Sequence, residues 1–276
     1  MSSTRTTPSP RDFVLNCSTL LTELPVLERA AAAREAGFER VEFWWPFTSA
    51  TPSPQEIDDF VASIENAGVQ LAGLNFFAGD MPGGERGIVS SVGREQEFAA
   101  NADVVVALGD RLGCRSFNAL YGLRLEGQDP HEQDETAVRN LATAARKLAA
   151  IDGTVLLEPV SGAEAYPLKT AADALAIIAR VQEAGTHNIR LLADFFHLAV
   201  NGDDVSAVIE QHATNFGHIQ IADAPGRGAP GTGDLPLHEW IERSRTLGYE
   251  GEVALEYKQE RATAFDWLTQ PVAATR

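Results

Sequence analysis

The chain reads as a closed (β/α)8 TIM barrel, an α/β fold in which eight parallel strands are ringed by helices. Three observations predict it. Eight short apolar runs alternate with eight longer amphipathic segments, the pattern of parallel strands joined by helical crossovers. The length, 276 residues, sits near the ~250 usual for such a barrel. The first apolar run is followed by NCSTLLTELP, with no G-x-G-x-x-G to open the doubly wound sheet that is the alternative arrangement. Neither a P-loop nor a G-x-S-x-G elbow appears.

The elements follow in order. Strands are expected over residues 13–18, 40–44, 70–75, 116–119, 154–158, 189–194, 216–222 and 252–257, where short apolar runs such as TVLLE and EVALEY stand. Helices are expected over 25–36, 54–67, 94–112, 134–150, 170–184, 205–214, 237–247 and about 264–272. The first two begin on a proline and stop at Gly37 and Gly68, the usual start and stop signals. The loop after the third strand, FFAGDMPGGERG, exceeds the two to six residues usual between such elements, and its length points to function. No interdomain linker interrupts the pattern. Residues 1–11 read as a flexible polar N-terminus and 12–276 as one barrel domain.

Composition narrows the class. A net charge of −17 disfavours a nucleic-acid partner or an anionic membrane, both of which need a basic footprint. The N-terminus, MSSTRTTPSPRD, has no apolar core behind it, and no run reaches the ~18 apolar residues of a membrane span. Cys17 and Cys114 are the only cysteines, too few for a disulfide scaffold or a thiolate zinc site, so a cytoplasmic protein with two buried thiols is expected.

The stretch FGHIQIADAPGRGAPGTGD, from Phe216 to Asp234, breaks the apolar rule of a buried strand. Period-two alternation puts His218 and Gln220 on one face where aliphatics belong, and the glycine-rich loop that follows carries Arg227. Such a loop suits backbone approaching a small anionic or polyoxygenated ligand, although an ordinary turn-rich loop has the same composition. In a barrel the active residues sit at the C-terminal ends of strands. There Glu158, Asp194, Gln220 and Glu256 follow one another at intervals of about one strand-helix unit on the last four strands, so they can converge at one mouth. Three carboxylates and an amide oxygen form a hard ligand set suited to Mg²⁺ or Mn²⁺. A cation would also remove the repulsion among the buried charges. Taken singly, each carboxylate is more readily a strand-end group capping the next helix or meeting a lysine; four on successive strands favour a metal site.

The blocks ELPVLERAAAAREAGFERVEF, AGDMPGGERGI, LLEPV, ADFFH, GHIQIADAPGRGAPGTGD and GYEGEVALEYK together resemble the xylose-isomerase-like barrels, and within them the hydroxypyruvate isomerase family. They extend over nearly the whole chain. The resemblance implies a divalent metal on Glu158, Asp194, Gln220 and Glu256, with Glu158 and Glu256 also the paired acid/base residues. It matches His197 and Arg227 to positions that meet substrate oxygens in related sugar epimerases. Departures fall at Val160, Ser161 and Gly162 after the EP pair, and at Phe195 and Phe196, all in pocket-lining positions.

That resemblance implies interconversion of hydroxypyruvate and 2-hydroxy-3-oxopropanoate through a metal-stabilised enediolate. The residue types fit: a base for one carbon, an acid for the next and a positive centre for the developing oxyanion. Arg227 can grip a substrate carboxylate in a fork. His197 can hydrogen-bond the migrating carbonyl, Glu85 can help close the mouth, and Lys258, with the strand parity of Glu256, can pair with a carboxylate or face substrate. Trp44 or Trp45 can wall the pocket or pack elsewhere. An isomerase or epimerase of a longer keto acid or sugar such as 2-oxo-tetronate is the alternative; a nuclease or a silent sugar-binding protein fits less well. The expected partner is a small hydroxy or keto acid or sugar, and a homo-oligomer is left open.

Overall fold

In the computed structural model, which describes residues 8–269, the eight strands close into one parallel barrel in sequence order. They are β1 (Val14–Asn16), β2 (Arg40–Phe43), β3 (Gln70–Asn75), β4 (Ser116–Asn118), β5 (Thr154–Leu157), β6 (Ile189–Asp194), β7 (Phe216–Ile221) and β8 (Val253–Leu255). β1 closes the ring by pairing with β8 through Val14↔Ala254 and Leu15↔Leu255. Among the described residues no helix is long and apolar enough to cross a membrane.

The outer ring contains α1 (Arg29–Glu35), α2 (Pro54–Ala67), α3 (Glu95–Leu112), α4 (Pro130–Leu148), α5 (Ala171–Glu183), α6 (Phe195–Val200), α7 (Val205–His212) and α8 (Leu237–Thr246). Their ends obey local chemistry. α2 starts at a capping box in which Ser53 and Glu56 exchange hydrogen bonds, with Pro54 in the first turn, and stops at left-handed Gly68. α5 uses the same box with Thr170 and Asp173. Aliphatic and aromatic faces of helices and strands meet in one core, including the Phe76–Phe98 stack and the Phe43–Phe60 edge contact. Cys17 and Cys114 are buried and unpaired, and burial pushes both thiols upward, Cys114 to about 12.

Most boundaries fall within two residues of expectation, and three helices depart further. α4 begins at Pro130, four residues early, because Asp129 caps it by accepting the His131 N–H at 3.0 Å and Pro130 suits the first turn. The first helix splits: Pro25 is extended, Val26–Glu28 form a 3-10 turn, and α1 starts only at Arg29. The expected final helix is a 3-10 turn, Asp266–Thr269, within the described residues, and its remainder lies outside them. α6 was not expected. It is six residues long and starts because the Asp194 carboxylate accepts the N–H groups of Phe196 and His197, at 2.8 and 3.1 Å.

The long loop after β3 is fastened to the next one. Gly87 forms an antiparallel bridge with Tyr121, and a Cβ there would lie 1.9 Å from the Leu120 carbonyl oxygen, so only glycine allows this approach. The loop thereby stands beside the C-terminal mouth of the barrel.

Candidate active site

The strand ends bring the four residues picked out by spacing to the barrel mouth. Asp194 ends β6 and sits opposite Gln220 of β7 in the sheet register, so their side chains share a face. Glu158 and Glu256 are the residues immediately after β5 and β8. All four are at least 96% buried. One ligand atom from each of Glu158, Asp194, His197 and Glu256 lies within 4.8 Å of the others. Gln220 Oε1 and Asp194 Oδ2 are buried and have no hydrogen-bond partner among the described residues. Two orphaned oxygens beside two more carboxylates are what a hard cation would satisfy, and buried polar atoms seldom stay unpaired otherwise.

The electrostatics agree. Burial, then the charges of Glu256 and Asp194, push Glu158 well above the ordinary carboxylate range. Burial also raises Glu256, to about 7, although Arg227 pulls it down. Asp194 is raised by burial against the same arginine and the N–H groups of α6.

Each glutamate is held differently. Asn118, at the end of β4, donates to Glu158 Oε2 at 2.7 Å, and the Tyr166 hydroxyl donates to the Glu158 carbonyl at 3.0 Å. Glu256 Oε1 accepts from Trp44 Nε1 at 2.8 Å and Asn16 Nδ2 at 3.1 Å, while Oε2 accepts from Arg227 Nη2. Behind them lies Glu42 of β2, which accepts from Asn16 and Gln220 at 2.8 and 2.7 Å and meets His218 Nε2 at 2.7 Å. Burial works against its charge, but His218 and these donors hold Glu42 below the usual carboxylate range. His218, the second polar residue on the inner face of β7, therefore serves this network.

His197 stands among the carboxylates, with Nε2 3.8 Å from Glu158 Oε1 and 3.6 Å from Asp194 Oδ2. Its Nδ1 accepts the Ser161 N–H at 3.1 Å, so a neutral ring carries its proton on Nε2 and is a donor toward the cavity. Burial, and then Arg227, push its pKa down to about 3, which keeps it neutral.

Arg227 is placed by a folded loop. Both oxygens of buried Asp223 accept loop N–H groups, those of Ala224, Gly231, Gly233 and Leu235 at 2.9–3.0 Å. Arg227 itself has φ +56, an uncommon conformation for a residue with a side chain. Its Nε donates to the Glu256 carbonyl at 3.1 Å, Nη2 lies 3.7 Å from Asp194 Oδ2, and the guanidinium packs 5.5 Å from the Phe196 ring centre. The side-on fork is thus spent within the protein, while Nη1 has no hydrogen-bond partner among the described residues.

A cavity of about 1100 Å³ opens above the cluster, lined by Trp44, Phe77, Glu85, Phe196, Arg227 and Lys258 among others. Glu85 lines it, but its oxygens are taken by Arg94 at 2.6 Å and the Asp80 N–H at 2.6 Å. Lys258 reaches the wall with no side-chain hydrogen bond or ion pair among the described residues. Buried polar residues also stand at the ends of the earlier strands. Asn16, Glu42 and Asn118 stand at or near the ends of β1, β2 and β4, and the same rule applied to those strands finds them.

Comparison with known proteins agrees with the barrel fold. Residues 30–273 match the family model described as xylose isomerase-like TIM barrel. The chain belongs to that family. It is 49% identical to a putative hydroxypyruvate isomerase of Streptomyces coelicolor, over 96% of this chain and 98% of the relative. It is 30% identical to the hydroxypyruvate isomerase of Escherichia coli, covering 91% and 95% of the two chains, and 31% identical to the 2-oxo-tetronate isomerase of Cupriavidus necator, covering 93% and 95%. Among solved structures, one titled AP endonuclease, family 2, from Brucella melitensis superposes with a TM-score of 0.82 at 32% identity, covering 94% of this chain and 98% of that one.

Proposed function

We propose that this chain is an isomerase that interconverts hydroxypyruvate and 2-hydroxy-3-oxopropanoate by intramolecular oxidoreduction. In this reading Glu158 and Glu256 handle protons, and a divalent cation, Mg²⁺ or Mn²⁺, is held by Glu158, Asp194, Gln220 and Glu256. The observation that carries it is the pair of buried glutamates at the ends of β5 and β8. Burial pushes both upward, Glu158 well above the ordinary carboxylate range and Glu256 to about 7, so Glu256 can hold or release a proton near neutral pH and Glu158 favours its protonated form more than an ordinary carboxyl does. The names of the relatives supply the substrate.

The donor set fits the cation: three carboxylates and an amide oxygen, two of the four groups having an oxygen without a partner. When bound, it would supply positive charge beside the adjacent substrate oxygens where negative charge develops. One glutamate takes the proton from C3 of hydroxypyruvate and the other delivers a proton to C2, while the O3 hydroxyl proton passes to O2. The isomerisation balances without an external oxidant. His197 offers its Nε2–H to a substrate oxygen, in keeping with its neutral form and the Ser161 contact. Arg227 meets the substrate carboxylate through its outer Nη edge, and Lys258 meets the end of the substrate nearer solvent. Glu85 shapes the mouth by holding Arg94.

A panel of keto acids and ketoses from three to six carbons, assayed with metal-loaded protein, tests the reading. Highest kcat/KM on hydroxypyruvate is expected; a clear preference for a 2-oxo-tetronate or a neutral sugar would overturn the substrate assignment.

A further inference from the structure

A neutral amide ligand poses a problem that a carboxylate does not. Only one of its two ends can meet a cation, and the other repels it, so the protein must decide which way Gln220 points. That choice matters because of the cation proposed above, on which the inference rests. Gln220 Nε2 lies 2.7 Å from Glu42 Oε1, and Gln220 Oε1 is the orphaned, buried atom. Glu42 is itself fixed by neighbours that leave it little freedom. Asn16 turns its Nδ2 to the same oxygen at 2.8 Å because its own Oδ1 accepts the N–H groups of Ser18 and Thr19, at 2.9 and 3.2 Å. The other oxygen of Glu42 is met by His218 at 2.7 Å. On the neighbouring strand, Gly73 stands opposite Glu42 in the register, and a Cβ there would press within 3.1 Å of Glu42 Cβ and Oε2. The carboxylate therefore has a built seat beside the Gln220 amide.

A carboxylate accepts and does not donate, so an amide beside it must turn its NH2 group that way. Turned round, Gln220 would set its oxygen 2.7 Å from Glu42 Oε1 and leave its NH2 group beside the cation. We propose that Glu42 is a positioning residue that fixes the orientation of the Gln220 amide and so presents Oε1 as a ligand to the divalent cation. Asn16 extends the device, since the same Nδ2 reaches Glu256 Oε1 at 3.1 Å and ties two candidate ligands to one outer carboxylate.

The test is Mn²⁺ binding to chelator-stripped full-length protein, followed by electron paramagnetic resonance, with folding checked by circular dichroism. Glu42→Gln replaces the enforced acceptor by a group that tolerates either orientation, and Mn²⁺ affinity should fall about tenfold or more. The double variant Glu42→Gln/Gln220→Glu exchanges the two groups. The amide now on β2 can donate to one oxygen of the new carboxylate on β7 while the other oxygen of that carboxylate faces the cation, and Asn16 retains Glu256 as acceptor. Affinity in the double variant should return to within a few-fold of wild type, a recovery that a merely structural role for Glu42 would not produce. If Glu42→Gln alone does not fold, the double variant and Glu42→Asp, which keeps an acceptor, carry the test. The proposal is overturned by wild-type affinity in Glu42→Gln, or by a folded double variant that binds Mn²⁺ about tenfold or more weaker than wild type. A wild-type protein that binds no Mn²⁺ would instead remove the cation reading, and Glu42 with it.

Discussion

The indole Nε1 of Trp44 donates to Glu256 Oε1 across 2.8 Å and ties the end of β2 to the end of β8. With Arg227 on the other oxygen, Glu256 is held at both ends, whereas Glu158 receives a side-chain donor, Asn118, only at Oε2. The two glutamates proposed to share one proton transfer are thus supported unequally. Glu158 Oε1 is left facing His197 and the cavity.

Trp44→Phe keeps an aromatic ring on the cavity wall and should release Glu256 Oε1 from its indole donor. It removes a hydrogen bond that favours the charged form, so the Glu256 carboxyl should rise by about one pH unit. The acid limb of the kcat/KM profile should move to higher pH by that amount. An unmoved limb in a folded variant would separate Trp44 from the chemistry.

Metal binding should depend on pH in a definite direction. In the metal-free protein burial raises Glu256 to about 7, so it carries a proton under mildly acidic conditions, and raises Glu158 well above the ordinary carboxylate range. A cation competes with protons for these oxygens, so apparent Mn²⁺ affinity should increase as pH rises through about 7, with proton release measurable in weak buffer. Chelation should abolish turnover, and Mg²⁺ or Mn²⁺ should restore it. Equal affinity at pH 6 and pH 8, or full activity in protein shown to be metal-free, would contradict this.

The barrel was legible because each strand and helix carries its own signal: apolar runs, a proline at the start, a glycine at the stop. The four candidate ligands at the mouth were legible for a related reason, since each is a polar residue at or beside the end of an apolar strand. The supporting network was not. Asn16 reaches Glu256 only because β1 and β8 meet when the barrel closes, and Glu42 touches Gln220 across its interior. No local pattern encodes those meetings. α6 was missed because ADFFHLAV reads as a continuing apolar run until the Asp194 carboxylate turns back to cap it.

Arg227→Lys should weaken substrates bearing a carboxylate more than neutral sugars, because lysine cannot reproduce the planar guanidinium edge. The comparison is of KM for hydroxypyruvate against that of a neutral ketose. Equal losses on both would mean that Arg227 serves Glu256 and not the substrate.

Asp223→Ala tests the loop that carries Arg227. Four backbone N–H groups would lose a charged acceptor, a loss of at least about 2 kcal/mol of stability, read by urea unfolding. Turnover should fall further than stability alone explains, since Arg227 would lose its enforced position. A variant as stable and active as wild type would show the loop to be held by other contacts.

The central claim is that Glu158 and Glu256 move protons as well as hold metal, and the turnover of Glu158→Gln and Glu256→Gln at measured, saturating Mn²⁺ occupancy tests it most directly. Glutamine keeps an oxygen ligand of similar size but cannot exchange a proton, so each variant should bind metal with modest loss while turnover drops by roughly 10²–10⁴. Asp194→Asn is the control: it should lose metal first and recover part of its activity with excess Mn²⁺. Near-wild-type turnover in either glutamine variant at full occupancy would show that glutamate to be a ligand only and would contradict the two-glutamate mechanism.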